Sequence, residues 1–358
     1  MAIRFDREDW ARVKASHAAW WKGELDRPLI HTKVRTEAAP AVCGAPLLSQ
    51  ANCTDFSWSP EALVERMDAE LSSYEYYADA FPAVNFHTFG PGVAAAFCGA
   101  KLDNSSGSVW FFPPEEKPIE EISIRYDPDN IWTRRIKEIY RAGGEKWKGN
   151  VLMSMPDLGG VMDIAATFVG TENLLIALYD APEEVKRLTG EAHAAFMEAY
   201  RDLSAALREA GNPGFSDWDG LYSQEPSYVL QSDFSYMVGP EMFREFIFGD
   251  LQEGCRELTN VIYHMDGIGQ LAHLPQLLTM ENLGAIQWVP GAGQPTGRCW
   301  MDVYRQIVAS GRGCEVIADK EEFLEIRKEL PKGLYYKADF PDRAQAENFL
   351  ERAGVPLK

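Results

Sequence analysis

Short apolar runs alternate with longer amphipathic stretches along this chain, most regularly after residue 150. Val151-Leu152-Met153-Ser154-Met155 predicts a strand, with Pro156-Asp157-Leu158-Gly159-Gly160 as its loop. A helix over about 182–210 opens at Ala181-Pro182-Glu183-Glu184 and stops at Gly211. Phe215-Ser216-Asp217-Trp218-Asp219-Gly220 predicts a short strand ending in a polar loop, and 240–258 predicts a helix. Strands then follow at 261–264, 285–289, 314–318 and 334–338, separated by helices at 271–278, 300–309 and 320–330 and closed by one at 342–353.

Before residue 150 the pattern is less even. Trp10, Val13 and Trp20 or Trp21 share a face of a helix over 7–22, which Asp6 can cap. Arg27-Pro28 leads into a strand at 29–34. Ser59-Pro60-Glu61 opens a helix expected to run to about Tyr77, and a buried strand lies at 82–87. Gly90-Pro91-Gly92 opens a further helix. Residues 101–149, with Pro113, Pro114 and Pro118, predict an insertion of short strands and loop that ends in a helix near 129–142.

Eight short apolar strands, at 29–34, 82–87, 151–155, 214–217, 261–264, 285–289, 314–318 and 334–338, joined by helix-sized crossovers, predict a parallel sheet. Eight β/α units favour a closed (β/α)8 TIM barrel, an α/β fold, over an open doubly wound sheet. The expected organisation is a single domain over 1–358, with a helical extension at 1–26 and the insertion at about 101–149. No G-x-G-x-x-G follows the first strand, which weakens a dinucleotide-binding alternative.

Composition narrows the partners. The 358 residues carry a net charge of −19, which disfavours nucleic acid and anionic membranes. No run of about 18 apolar residues predicts a membrane span. The N-terminus lacks an apolar signal region, and the six scattered cysteines (Cys43, Cys53, Cys98, Cys255, Cys299, Cys314) form no C-x-x-C pair. The expectation is a cytoplasmic protein with free thiols.

In a barrel the chemistry follows the C-terminal ends of the strands. The candidates there are Asn85 and His87, Asp157 and Asp163, then Asp217, Asp219 and Tyr222. His264, Asp266, Gln287, Trp288, Gln294, Asp319 and Asp339 complete them. Tyr263-His264-Met265-Asp266-Gly267 is the strongest cluster. An imidazole and a carboxylate two apart at a strand end suit a divalent metal such as zinc, or proton transfer. A helix-capping Asp266 and a core His264 explain the same residues. Asp217 and Asp219 can bind substrate or act as acid and base, or simply close a turn. Trp288 can wall a pocket for a planar substrate or pack in the core, and Asp339 can add a third metal ligand or cap the last helix.

Three segments resemble the uroporphyrinogen decarboxylase-like superfamily: Trp21-Lys22-Gly23-Glu24-Leu25-Asp26-Arg27-Pro28-Leu29, Phe89-Gly90-Pro91-Gly92 with Ala94, Ala95 and Gly99, and the run from Tyr263 to Gly291. The resemblance implies a barrel and two chemistries, porphyrinogen decarboxylation or methyl transfer involving corrinoid proteins and thiols. The decarboxylase's arginine-rich motif has no counterpart, and Asn85 and His87 stand near where its catalytic aspartate would fall. The thiol-methylating branch holds zinc with His-x-Cys and a later Cys. His264, Asp266 and Asp339 would take those places, a harder set suited to an oxygen or nitrogen substrate.

The expectation is therefore a methyltransferase or demethylase. It would move a methyl group from a small O- or N-methylated compound to a corrinoid (cobalamin) on a partner protein. His264, Asp266 and Asp217 would do the chemistry, with Asn85, His87, Asp219, Tyr222, Gln287 and Trp288 around the substrate. A decarboxylase or lyase using acid–base chemistry, a non-catalytic corrinoid- or tetrapyrrole-binding protein, and a homodimer stay open.

Overall fold

Strand Asn260–Asp266 buries Val261, Ile262, Tyr263 and Met265 because it is paired on both edges and covered on both faces. It belongs to a central sheet in the computed structural model of the protein, which describes residues 2–36 and 44–358. In chain order the strands are β1 (Leu29–Arg35), β2 (Tyr74–Ala78), β3 (Ala83–Val84), β4 (Lys101–Asp103), β5 (Trp110–Phe112), β6 (Leu152–Met153), β7 (Ser227–Gln231), β8 (Asn260–Asp266), β9 (Leu283–Val289), β10 (Gly313–Val316) and β11 (Leu334–Phe340).

The main sheet has the order β2-β1-β11-β10-β9-β8-β7, and every pair in it is parallel except β1 with β2. A two-stranded parallel sheet, β3 with β6, stands beside it. The Asp79 N–H donates to Ile30 O (3.0 Å), and the Met155 N–H donates to Ser216 O (2.8 Å). Helices Met301–Ala309, Lys320–Glu329 and Arg343–Ala353 follow β9, β10 and β11, the last packing on β1 and β11. The fold is mixed α/β with a parallel-rich central sheet.

Two expectations need correction, and one further segment gains elements. Residues 214–217 do not form a ladder strand: Phe215 makes only an isolated bridge with Ser223, and β7 is the partner of β8. The strand in that place is Ser227–Gln231, a segment given no element above, and pairing with β8 is what selects it. The helix that begins at Pro60, with Ser59 as its cap, ends at Leu71 rather than near Tyr77. Tyr74–Ala78 instead takes the free edge of β1, where its aromatic side chains suit a pleated surface. Residues 161–180, given no element above, form helices Val161–Val169 and Thr171–Asp180. No single helix among the described residues is long and apolar enough to cross a membrane.

Within 101–149, β4 and β5 make an antiparallel hairpin, and helix Ile131–Trp147 packs against helices Pro60–Leu71 and Pro182–Glu209. Cys43 lies outside the described residues; the other five cysteines are free.

Helix Arg7–Trp21, capped by Asp6, binds the strand entries through its tryptophans. Trp10 Nε1 donates to Asn150 O (3.2 Å), Trp20 Nε1 to Leu334 O (3.1 Å) and Trp21 Nε1 to Tyr222 O (2.9 Å). A second small core gathers Phe5, Trp10, Val13, Phe81 and Tyr222 beneath it. Asp79, fully buried, receives both Arg27 guanidinium nitrogens (2.7 and 2.8 Å) and the Ile30 N–H (2.9 Å), tying the entry of β1 to the turn after β2.

Candidate active site

Because side chains alternate along a strand, residues two apart share a face. Parallel register then brings Gln231, His264, Gln287, Glu315, Tyr335, Lys337 and His31 into one belt. Gln231 pairs with His264, His264 with Gln287, Gln287 with Glu315, Glu315 with Tyr335, and Lys337 with His31. The polar groups of this belt meet one another.

The Lys337 ammonium donates to Asp219 O (2.8 Å) and Asp219 Oδ1 (3.1 Å) and stands 2.8 Å from Glu315 Oε1 as an ion pair. Gln287 Nε2 reaches Asp219 Oδ1 (2.8 Å) and Glu315 Oε2 (2.7 Å), while Gln287 Oε1 contacts His264 Nδ1. Burial is the largest influence on the Asp219 carboxyl and would raise it, but the Lys337 charge together with the hydrogen bonds from its neighbours holds it below the usual range. Glu315 is pushed well up by burial and by the negative Asp219, so one carboxylate and one carboxylic acid share the lysine. Burial opposes the Lys337 charge, yet its two acidic neighbours raise its pKa.

A second chain of bonds runs toward the N-terminal helix. The Tyr335 hydroxyl meets His31 Nδ1 (3.0 Å), His31 Nε2 meets His17 Nε2 (2.9 Å), and His17 Nδ1 meets Val13 O (2.9 Å). Val13 O can only accept, so His17 Nδ1 carries a proton; with burial keeping both imidazoles neutral, His31 Nε2 donates to His17 and the Tyr335 hydroxyl donates to His31. Burial drives His17 down to about 4 and His31 well below its ordinary value.

At the C-terminal ends of β7 and β8, Asp233, His264 and Asp266 each offer a ligand atom within 4.8 Å of the others. His264 Nε2 lies 3.9 Å from Asp266 Oδ2. Asp163 sets the Asp233 turn by accepting the N–H groups of Asp233 (2.9 Å) and Phe234 (2.7 Å). Gly160 permits this approach, since a Cβ there would fall 2.4 Å from Gln231 O. Gly267, at φ +87°, turns the chain away directly after Asp266. Desolvation in the recess raises the Asp233 carboxyl; His264 draws it down, and Asp266 and Asp157 push it up. Burial likewise lifts Asp163 to about 7.

Other predicted residues fall in varied places. Asp339 faces Lys33 (3.7 Å) outside the His264 group, and the last helix is capped by Asp342. Asp233, not Asp339, is therefore the third residue beside His264 and Asp266. Trp288 is fully buried and packs edge-on against Trp300 (5.1 Å). Its neighbour Gln287 faces the belt, so alternation turns Trp288 the other way, and it cannot wall the site. Trp218 is the aromatic neighbour instead, with its ring 4.9 Å from that of His264.

Tyr222 is buried below the belt, its hydroxyl donating to Pro213 O (3.0 Å), so it does not shape the recess. Asp217 is buried, closes a turn onto the Asp219 N–H (2.9 Å), and is raised to about 8, chiefly by burial. Asn85 accepts from the His87 N–H (2.8 Å) and donates to Trp218 O (3.0 Å). His87 Nδ1 stands 3.3 Å from Asp157 Oδ2.

A cavity of about 620 Å³ lies between β1, β2 and β3, with His31, Lys33, Met67, Phe81, Asn85 and Lys337 in its lining. The loop 217–220 stands between it and the His264 group: Gly220 lines the cavity and Trp218 meets His264. Lys337, Glu315, Asp233 and Trp218 were absent from the predicted site. A lone charge inside an apolar strand, as in Cys314-Glu315-Val316 and Tyr336-Lys337-Ala338, is the signal that marks two of them.

The C-terminal ends of parallel strands, which here carry an ionic belt and a His/Asp group, are a typical place for catalysis in an α/β protein. A methyltransferase from Methanosarcina mazei has a similar fold, with a TM-score of 0.61 over 96% of this chain and 98% of that one, at 13% identity. No protein-family model and no curated protein sequence matches the chain.

Proposed function

We propose that this protein is a methyltransferase or demethylase of the uroporphyrinogen decarboxylase-like superfamily, with its strands arranged as a (β/α)8 barrel. The observation that carries this reading is the His264, Asp266 and Asp233 group at the strand ends, in a fold shared with a methyltransferase. One imidazole nitrogen and two carboxylates make a hard donor set that suits zinc or a similar divalent ion. Asp157, Asp163, Asp233 and Asp266 crowd the same recess, while Lys337 is spent on Asp219 and Glu315, so the local charge favours a cation. A bound ion would supply Lewis acidity at the heteroatom that carries the methyl group.

The chain's own residues do the rest. A small methylated compound would meet the His264 group beside the Trp218 ring, on the other side of the 217–220 loop from the cavity of about 620 Å³. Trp218 and the Asn85 clamp on its carbonyl hold the loop between cavity and His264. The proposed acceptor is a corrinoid on a partner protein. Tyr236, Met237 and Ile268, exposed beside Asp233 and Asp266, offer that partner an apolar rim.

The test is elemental analysis of protein purified without added metal, compared with His264→Ala, followed by methyl transfer to cob(I)alamin. About one zinc per chain, lost in the variant, with methyl transfer from an O- or N-methylated donor, is the expected result. Absence of metal from both proteins refutes the metal-assisted reading and leaves acid–base chemistry.

A further inference from the structure

The side-chain amide of Gln287 lies between three groups that constrain which way it faces. On one side are Asp219 Oδ1 at 2.8 Å and Glu315 Oε2 at 2.7 Å. On the other is His264 Nδ1. Reversing the amide would set its oxygen against Asp219, a carboxylate already held ionised by Lys337. The two N–H bonds of Nε2 therefore serve the carboxyl side, and Oε1 is left for the imidazole. An amide oxygen only accepts, so the ring nitrogen facing it must carry a proton.

We propose that Gln287 is a positioning residue that locks His264 in the Nδ1–H tautomer, presenting an unprotonated Nε2 to Asp233 and Asp266. Second-neighbour partners commonly set the tautomer of a working histidine in this way. Here the lock is built from strand register: Gln287 is the direct partner of both His264 and Glu315. The Trp218 ring, 4.9 Å away and edge-on, limits rotation of the imidazole. Lys337 anchors the far end of the same array from the cavity wall. The inference concerns the metal-free chain and does not rest on methyl transfer, so it can fail while that reading stands, and the reverse.

The test is nitrogen NMR of metal-free, ¹⁵N-histidine-labelled full-length protein at alkaline pH, with His264 assigned by its loss in His264→Ala. Wild type is expected to show His264 protonated at Nδ1. In Gln287→Leu, the loss of one hydrogen bond shifts the tautomer ratio toward Nε2–H by about fivefold. Gln287→Glu, which keeps an acceptor toward the ring, retains Nδ1–H. An Nε2–H signal in wild type, or an unchanged ratio in Gln287→Leu, overturns the proposal. If Gln287→Leu does not fold, wild type still decides it, because Nε2–H there refutes the lock.

Discussion

Replacing Lys337 with methionine removes two hydrogen bonds to Asp219 and an ion pair with Glu315 at once. The chain stem is kept and the charge is lost. Asp219 is then a fully buried carboxylate with only the Gln287 amide and the acidic Glu315 beside it. Breaking a buried pair from one side typically costs about 3–5 kcal/mol. Because the Lys337 side chain is 40% exposed, solvent screens part of that interaction, and about 3 kcal/mol at pH 8 is the expected loss.

The loss should depend on pH with a definite sign. Without the lysine, the folded-state pKa of Asp219 rises above its unfolded value. Folding then takes up a proton, and the variant recovers stability as pH falls, by up to about 1.4 kcal/mol per unit. Urea unfolding of both proteins at pH 5 and pH 8 measures this. The gap between them should be clearly smaller at pH 5, and adding Asp219→Asn should recover much of the stability at pH 8. A gap below about 1 kcal/mol at pH 8, or one equal at both pH values, would refute the reasoning.

Arg27→Ala strands the fully buried Asp79 carboxylate and should cost about 3–4 kcal/mol, read as a lower urea midpoint. His17 titrates near 4 when folded against 6.5 when free, so the unfolded chain binds more protons between those values. Its contribution, about 3 kcal/mol, is complete above pH 6.5 and is lost as pH falls toward 4; His17→Gln should flatten that part of a melting-temperature profile. Trp288→Phe should leave ligand affinity within about twofold while lowering stability, whereas Trp218→Ala should weaken binding of any substrate that reaches His264, both read by calorimetry. Asp163→Ala frees the turn carrying Asp233 and should weaken zinc binding by about tenfold in a competition titration with a chelating dye.

Much of the fold could be read from pattern. The caps at Asp6 and Ser59, the long helix from Pro182 to Glu209, and the last four parallel strands follow from local periodicity and end chemistry. The i, i+2 spacing of His264 and Asp266 also placed both on one face of their strand. Where reading failed, local signals were degenerate. Residues 214–217, with Phe215 ahead of a polar loop, took the place of the strand at 227–231, and missing that strand also missed Asp233 at its end. Trp288 looked like a pocket wall because it neighbours the strand end. Which of two adjacent residues faces the site is set by strand phase, which one sequence does not state.

The sequence by itself determined the alternation of strands and helices and the residue pair at the heart of the site, because hydrophobic period and end caps act within a few residues. Tertiary structure alone decided which charges meet. Asp219, Gln287, Glu315 and Lys337 come from four separate segments, and parallel register brings them within hydrogen-bonding distance. Only there, out of water, does a lysine decide which carboxyl keeps its proton and an amide decide which nitrogen of His264 is free.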